Sequence, residues 1–421
     1  MRRALPELLA PAGDATSLRA AIDAGADAIY FGVGDLNMRV KAKNFTIDDL
    51  PDVARLCRER GVRSAIALNV ILKDDDLPQA DRLLDEAKRA GVDGAVVADV
   101  AAIERCREID FPFTVSTQLS VSNARAARFY HALGAKRIVL ARECSLEEIK
   151  RIRAETGVEI EVFAHGAMCV AVSGRCLLSH HVFGKSGNQG ECYQPCRREY
   201  VITDAEREFS LELGRDYVLS PKDLRTVEFL DEIIDAGVDA LKIEGRKRAP
   251  DYVRAVVGAY RRALDAYAEG RYDESLKAEL IEALDRTYNR GFSRGFYGGA
   301  PSGEDFVERP DNAAPVKKTY VGKVVDYYKK PKVASVRLFA RDVRRGETLL
   351  IMGSTTGVVE IAPAELRADD ESVEMAPKGA LVTFPCEKRV RENDKVYALV
   401  ENAAPDKPRG TRSSSEEATN G

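Results

Sequence analysis

Four cysteines lie close together near the middle of this 421-residue chain. They form a C-x6-C-x15-C-x3-C pattern within 28 residues, at Cys169, Cys176, Cys192 and Cys196. Thiolates at this density favour soft metals. A 4Fe-4S cluster is bound by four thiolates whose spacing varies widely, and the glycines around these cysteines allow the tight turns that surround a cluster. The spacing therefore favours an iron–sulfur site.

Three alternatives to the cluster remain open at this point. Zinc also binds four thiolates, but only Cys192 and Cys196 approach the short spacing of structural zinc sites. The cysteines could also be ordinary reduced thiols. Finally, His165 and Cys169 are four residues apart and would share one face of a helix, as a Cys–His nucleophile requires, although no third, orienting group is apparent.

The elements that must position these residues alternate regularly along the chain. An Ala-Gly-Ala/Val-Asp phrase recurs at 24–27, 90–93 and 236–239, each time between an amphipathic stretch and a short apolar run. Gly61, Gly134 and Gly157 precede weaker copies, and 113–119 and 217–220 add two further strands, about eight in all. This alternation predicts an α/β fold of the (β/α)8 TIM-barrel type, since no Gly-rich dinucleotide turn follows the strand before Gly32.

Composition divides the chain into a barrel and a smaller C-terminal domain. We expect a TIM-barrel catalytic domain over 1–299 with a Cys-rich insertion at about 165–200, and a linker at 300–318. A small β-barrel should follow at 319–402, and a disordered tail at 403–421. Residues 316–402 include 16 basic and 13 acidic residues, a net charge of +3, against −7 for the rest of the chain.

The overall composition excludes several classes of protein. The chain has 64 basic and 68 acidic residues, a formal charge of −4, which argues against a strongly basic nucleic-acid coat protein. No apolar run is long enough to span a membrane, and the N-terminus lacks the apolar core of a secretion signal. We therefore expect a cytoplasmic protein with reduced cysteines and no membrane partner.

In a TIM barrel the active site forms where the strands end at their C-terminal side. Polar residues at the predicted strand ends are therefore the first candidates for chemistry. They include Gln118, Arg142, His165, Lys242, Glu244 and Arg246. Arg39 joins them from the loop after an early strand.

Several segments resemble the peptidase U-32 (collagenase-like) family. They are EVFAHGAMC at 161–169, SGRCLLS at 173–179, ELLAPAG at 7–13, NQGECYQPCR at 188–197 and LKIEGR at 241–246. The resemblance implies a TIM barrel that carries a 4Fe-4S cluster and hydroxylates RNA or a quinone precursor without molecular oxygen. The family's four-cysteine pattern falls on Cys169, Cys176, Cys192 and Cys196 without a gap.

One barrel followed by one β-domain is similar to the members that convert a tRNA wobble uridine to 5-hydroxyuridine, with prephenate required. The resemblance thus implies tRNA and prephenate as substrates, with prephenate as hydroxyl donor, and an electron donor or paralogous protein as a further partner. Alternatives are hydroxylation of another RNA such as 23S rRNA, proteolysis of collagen-like or other proteins, and a non-catalytic assembly role.

The resemblance also suggests roles for the polar candidates. We predict His165, Lys242 and Glu244 as catalytic residues, and Arg39, Gln118, Arg142 and Arg246 as substrate-binding residues. An arginine fork binds a carboxylate through two bonds, as a dicarboxylate such as prephenate requires. For Arg142, Lys242 and Arg246 the alternative is ordinary ion pairing with Glu143 and Glu244, and for Arg39 it is a solvated loop.

Two groups of residues are candidates for RNA contact. The segment 289–297 places arginines beside aromatic rings, which suits phosphate binding and stacking of an unpaired base. The second group is the set of basic residues on the C-terminal domain, namely Lys329, Lys330, Lys332, Arg344, Arg345, Lys388, Arg389 and Arg391. Packing of the linker and an ordinary solvated face are the alternatives.

Overall fold

The protein consists of a closed parallel barrel followed by an antiparallel sheet domain. The computed structural model describes residues 5–198, 200–203, 210–213, 220–307 and 312–402. The strands of the first domain are β1 (Glu7–Ala12), β2 (Ala28–Gly32), β3 (Arg63–Leu68), β4 (Gly94–Val97), β5 (Phe113–Val115), β6 (Arg137–Val139), β7 (Glu159–Gly166), β8 (Tyr200–Thr203), β9 (Ser210–Leu213), β10 (Asp223–Arg225), β11 (Ala240–Ile243) and β12 (Phe292–Ser293).

Eight of these strands close the barrel, in the order β1 to β7 and then β11, which pairs with both β7 and β1. Helices cover it on the outside, namely α1 (Ala15–Asp23), α2 (Leu50–Glu59), α3 (Leu77–Ala90), α4 (Val100–Glu108), α5 (Ala124–Ala132), α6 (Leu146–Glu155), α8 (Leu230–Asp235), α9 (Pro250–Glu269) and α10 (Glu274–Asp285). The short helix α7 (Leu178–Phe183) belongs to the Cys-rich insertion. The predicted (β/α)8 barrel is confirmed.

The recurring Ala-Gly-Ala/Val-Asp phrase has a structural explanation. Its glycine ends the helix; at Gly91, after α3, φ is 82°, a conformation that favours glycine. Its aspartate then accepts a hydrogen bond from a backbone amide at the start of a neighbouring strand. The three bonds run from Leu8, Ser64 and Ile160 to Asp27, Asp93 and Asp239, and each is 2.8 Å long. The phrase therefore sets the register between neighbouring strands.

The predicted set of strands needs one correction. The segment 7–12, which the periodicity did not assign to a strand, is β1 and lies between β2 and β11 in the closed barrel. The predicted strand at 217–220 falls largely outside the described residues. The Cys-rich insertion accordingly follows the seventh barrel strand, β7, and precedes the eighth, β11.

The C-terminal domain is an antiparallel sheet with its own apolar core. Its strands are β13 (Val316–Tyr328), β14 (Val333–Leu338), β15 (Val343–Arg344), β16 (Leu349–Gly353), β17 (Gly357–Ile361), β18 (Arg367–Ala368), β19 (Glu371–Ser372), β20 (Met375–Ala376), β21 (Leu381–Pro385) and β22 (Lys395–Glu401). Eight of them form one sheet in the order β17-β16-β22-β13-β14-β21-β18-β19. The predicted tail, 403–421, and residues 308–311 of the predicted linker lie outside the described residues.

The two domains pack against each other through helices of the barrel. Ala20 of α1 joins a buried apolar cluster with Leu350, Met352 and Val358 of the sheet domain. The Arg19 guanidinium also donates a 2.7 Å hydrogen bond to the carbonyl of Ser354. Among the described helices, none is both long and apolar enough to cross a membrane.

Candidate active site at the barrel mouth

One cavity opens at the C-terminal ends of the barrel strands. It is lined by all four clustered cysteines and by six of the seven polar candidates named from the sequence, the exception being His165. Those six are Arg39, Gln118, Arg142, Lys242, Glu244 and Arg246. The fold therefore brings together residues that are more than 200 positions apart in the chain.

The Cys-rich insertion folds over this mouth, and two of its glycines allow it to pack closely against the barrel. Gly190 has φ of 79°, and a Cβ there would lie 2.1 Å from the carbonyl oxygen of Asn37. Gly174 has φ of 75°, and its Cβ would lie 1.8 Å from the Gln118 amide oxygen. Any larger residue would push the insertion away from the barrel, so these glycines are needed for close approach as well as for backbone conformation.

The surroundings of the four thiols suit a cluster with one thiolate for each iron. All four line the same cavity, and the Gln194 amide lies 3.3 Å from the Cys192 sulfur. Arg197 lies beside them and is held by the carbonyls of Met168 and Pro221, at 2.5 and 2.6 Å. Within the described ranges no group of three or more Cys, His, Asp or Glu is arranged to hold a metal ion, so the four thiols share the cavity without converging on a single ion position. Thiolates are the donors that a 4Fe-4S cluster would use.

Among the described residues, Glu244 is the one carboxylate that lines the cavity. Both Nε and a terminal nitrogen of Arg39 donate to its Oε1, at 3.1 and 2.7 Å. Burial alone would raise the pKa of Glu244, but the charges of Arg39, Arg248 and Arg142 outweigh burial and lower that pKa to about 2. Glu244 is therefore ionised throughout the physiological range, and it fixes Arg39 at the cavity wall.

Arg246 is held in the cavity by a neutral partner. Its guanidinium donates a 2.9 Å hydrogen bond to Oδ1 of Asn37, which is fully buried. Its Cζ lies 5.7 Å from the centre of the Tyr30 ring. Burial lowers the pKa of Arg246 to about 10, which leaves it charged at neutral pH. Because Asn37 carries no charge, the positive charge of Arg246 remains available to a ligand.

Arg142 is also positioned without a direct carboxylate partner. It stacks on Phe163, with Cζ 3.9 Å from the ring centre, and donates to the carbonyl of Ala167 at 2.5 Å. Its Nε is buried and has no hydrogen-bond partner among the described residues. The alternative role, an ion pair with Glu143, is not found among the described residues. A buried donor without a partner favours binding of an acceptor from the cavity.

Lys242 lines the cavity but points its charge toward the barrel axis. Its Nζ lies 2.7 Å from Oε1 of Glu161 and 4.2 Å from the centre of the Tyr30 ring. Burial would raise the pKa of Glu161, but Lys242 and Arg137 lower it. Lys242 thus connects the mouth to a buried ion-pair network at the barrel floor.

His165 lies behind the cavity wall and does not line it. It is 1% exposed and packs among Tyr252, Tyr260 and Phe292, with ring centres 5.4 to 6.0 Å away. Its Nδ1 lies 3.5 Å from the Tyr260 hydroxyl. Burial, together with the charges of Arg225 and Arg248, lowers the pKa of His165 to about 3. The imidazole is therefore neutral at physiological pH.

The sequence-predicted RNA segment is partly structural. Phe292 packs on His165, and the Tyr297 hydroxyl donates to the carbonyl of Phe163 at 2.5 Å. Arg294 pairs with Glu232 at 3.1 Å. On the C-terminal domain, Lys332, Arg345 and Lys388 are also paired with carboxylates.

Sequence reasoning missed several residues of the cavity. Asn37, Arg197 and Lys247 were not singled out, although the last two lie beside a predicted ligand and a predicted strand end. With them the cavity wall includes six cations against one carboxylate: Arg39, Arg142, Arg197, Lys242, Arg246 and Lys247 against Glu244. Such a site attracts anionic ligands.

Comparison with known proteins supports the family suggested by the sequence. The family described as Peptidase family U32 matches residues 13–306. A "Collagenase" of Porphyromonas gingivalis is 40% identical over 93% of this chain and 97% of its own length. A "tRNA hydroxylation protein P1" of Bacillus subtilis is 36% identical over 76% of this chain and 78% of its own. An Escherichia coli "23S rRNA 5-hydroxycytidine C2501 synthase" is 38% identical over 68% of this chain and 44% of its own.

Proposed function

This chain belongs to peptidase family U32, and on that premise we propose that it is an enzyme that hydroxylates RNA. The relatives named for tRNA and rRNA hydroxylation support this reaction class. The specific reaction we propose is conversion of a tRNA wobble uridine to 5-hydroxyuridine in the cytoplasm, without molecular oxygen. It uses a 4Fe-4S cluster and prephenate as hydroxyl donor.

The observation that carries the proposal is the shared cavity. Four thiols and six cations line one space at the barrel mouth, where TIM-barrel enzymes act. Cys169, Cys176, Cys192 and Cys196 would hold the cluster, whose chemistry is electron transfer or support of a radical. An electron donor or a paralogous protein would keep the cluster in its working oxidation state, because the oxygen transfer itself uses no external electrons.

The reaction must balance an oxygen atom and two electrons. Replacing the C5–H bond of uridine by C5–OH is a two-electron oxidation that adds one oxygen atom. The donor must therefore lose one oxygen atom and accept those two electrons. Prephenate has two carboxylates by which it can be held while its hydroxyl faces the base.

The residues of this chain would bind and orient that donor. Arg142 offers the unpartnered Nε, and Arg246 offers a charge that Asn37 leaves unneutralised. Arg39 and Gln118 would complete the wall around the dicarboxylate. Such charge-assisted bonds contribute about 1.5–3 kcal/mol each.

The three residues predicted as catalytic would have different roles. Lys242 and Glu244 line the cavity and would stabilise charge at the reacting atoms. Glu244 stays ionised, so it cannot act as an acid at neutral pH. His165 does not reach the cavity and would act as a positioning residue for β7, through its contact with Tyr260.

Proteolysis is the second candidate, because a relative named collagenase matches nearly its whole length. A cysteine peptidase needs a histidine within hydrogen-bond reach of its thiol. All four histidines belong to the described part of the chain, and none lines the cavity that contains the cysteines. The site geometry therefore favours hydroxylation.

Deleting the gene in its host, and measuring nucleosides of total tRNA by mass spectrometry, tests the proposal. We expect 5-hydroxyuridine and its derivatives to disappear, to return with the wild-type gene, and not to return with Cys169→Ser. Cys57→Ser, at a buried cysteine far from the cavity lining, is the matched control and should restore them. Unchanged tRNA with loss of a hydroxyl from rRNA would contradict the tRNA assignment. Gelatin cleavage by the purified wild type that Cys169→Ser abolishes would favour the peptidase.

A further inference from the structure

A second, larger depression lies where the barrel meets the C-terminal domain. We call it the junction groove. Its walls come from residues 247–249 and the start of α9, from the end of α10 and the residues that follow it, and from the first residues of β13 with parts of β16, β17 and β22. It is lined by six cations and two carboxylates, so its net charge is strongly positive. The cations are Lys247, Arg248, Arg254, Arg286, Lys317 and Lys318, and the carboxylates are Asp251 and Glu360.

Three of the six cations are already neutralised by ion pairs. Arg248 pairs with Asp223 at 3.3 Å, Arg254 with Glu360 at 3.0 Å, and Lys318 with Asp251 at 2.5 Å. The Arg254–Glu360 and Lys318–Asp251 pairs both join the barrel to the C-terminal domain, and they therefore fix the shape of the groove. They leave little charge for a ligand.

The other three cations have no carboxylate partner among the described residues. Lys247, Arg286 and Lys317 are all exposed, and each comes from a different wall of the groove. Three unpaired cations that converge on one concave surface produce a positive field that is absent from an ordinary solvated face, where lysines and arginines alternate with acids. Tyr288, which is 37% exposed, adds an aromatic ring beside them.

The junction groove is continuous with the candidate active site. Lys247 lines both the groove and the barrel-mouth cavity, and its Nζ lies 3.5 Å from the carbonyl oxygen of Cys192. A polyanion bound along the groove would therefore run directly to the edge of the cluster site.

We propose that the junction groove binds the phosphate backbone of the RNA strand whose base enters the cavity. This inference rests on the proposed function and assigns its substrate-binding surface. Lys247, Arg286 and Lys317 contact successive parts of the backbone. The groove, and not the opposite end of the C-terminal sheet, then supplies most of the electrostatic affinity for RNA.

The triple variant Lys247→Ala/Arg286→Ala/Lys317→Ala tests this assignment in the full-length, cluster-containing protein. The matched control is Lys329→Ala/Lys330→Ala/Arg344→Ala. These three cations are exposed and unpaired within the described chain, and the two lysines follow the far end of β13. The affinity for total tRNA of the host would be measured over a series of salt concentrations. We expect the groove variant to bind at least about tenfold more weakly at low salt, and the slope of log K against log salt to fall by about 2 to 3.

The control variant should keep the wild-type slope, and both variants should keep the wild-type melting temperature. The double variant Arg286→Ala/Lys317→Ala, which leaves Lys247 in the cavity, should keep the wild-type affinity for prephenate. An unchanged slope in the groove variant, or the larger loss in the control variant, would overturn the groove assignment even if the wild type hydroxylates tRNA. By contrast, a wild type that neither binds RNA in a salt-dependent manner nor modifies it would reject the proposed function itself. If polyglutamate competes with tRNA equally well, the groove is a site for acidic peptides and the RNA assignment is wrong.

Discussion

The two ends of the barrel interior use the same residue types in opposite ways. At the floor, Arg137 lies 2.7 Å from Glu7, 2.8 Å from Glu159 and 3.4 Å from Glu161, and Arg63 also pairs with Glu7. Each of these five charges has a partner of opposite sign. At the mouth, six cations share the cavity with one carboxylate.

This difference separates structural charge from functional charge. Buried ion pairs rarely stabilise a fold more than apolar residues would, but loss of one partner is costly because the other charge is left buried. Removing one partner from the ion pairs at the floor should therefore destabilise the fold. The mouth carries unneutralised charge that a bound anion would compensate, so changes there should affect binding more than folding. Lys242, paired with Glu161 and lining the cavity, joins the two ends.

Glu161→Gln should give the largest effect, on stability. It removes a fully buried carboxylate and leaves Lys242 and Arg137 without a shared partner. We expect the free energy of unfolding to fall by about 3–5 kcal/mol, measured by urea denaturation. The control Glu155→Gln, at an exposed ion pair with Arg128, should cost no more than about 1 kcal/mol. Equal losses in the two variants would show that the floor network is no more important than a surface pair.

Arg142→Gln should give the complementary result at the mouth. We expect prephenate to bind about 10- to 100-fold more weakly, which corresponds to the loss of one charge-assisted contact, as measured by anaerobic titration calorimetry. The matched control is Arg128→Gln, at an exposed arginine outside the cavity. The opposite outcome is that Arg142→Gln unfolds the protein while the remaining folded fraction binds prephenate with wild-type affinity. In that case the charge of Arg142 is structural, and the mouth does not differ from the floor.

The pH dependence of folding stability tests whether His165 is buried and neutral behind the cavity wall. Its pKa is about 3 in the fold, below its ordinary value of 6.5, so the unfolded chain takes up a proton first as the pH falls. The stability contributed by the neutral imidazole is complete above pH 6.5 and is lost below it. We expect a loss of about 1.4 kcal/mol per pH unit below that point.

His165→Phe should remove this acid-dependent component when unfolding is measured between pH 7 and 4.5. The control His131→Gln, at an exposed histidine in α5, should keep the loss of stability below pH 6.5 that His165 causes. A profile for His165→Phe that is parallel to the wild type over this range would mean that the imidazole is accessible to protons in the folded protein.

The barrel and most of the cavity could be predicted because their signals are local. Each strand end follows a short apolar run, and the four cysteines lie within one insertion. β1 was missed because Pro11 and the short length of the run obscure it, although its pairing with β2 and β11 closes the barrel. The position of His165 behind the wall could not be predicted, because it depends on Tyr252, Tyr260 and Phe292, which come from distant parts of the chain.

The junction groove could not be predicted for the same reason. Arg286 and Lys317 are unremarkable in sequence, and only the packing of the two domains places them on one surface with Lys247. The basic residues that the sequence did highlight on the C-terminal domain are partly neutralised in the fold, as Lys332 and Arg345 show. Charge counts predict which domain is basic, but ion pairing decides which charges remain available.

The packing of the sheet domain on α1 also constrains the order of folding. Ala20 of α1 packs on Val358, while Arg254 of α9 pairs with Glu360 on the same strand, β17. These two helices belong to the first and last units of the barrel, and they become neighbours only when β1 pairs with β11. The surface that receives β17 therefore does not exist until the barrel has closed. A ribosome-bound chain would complete its barrel first, and docking of the C-terminal domain would report that closure.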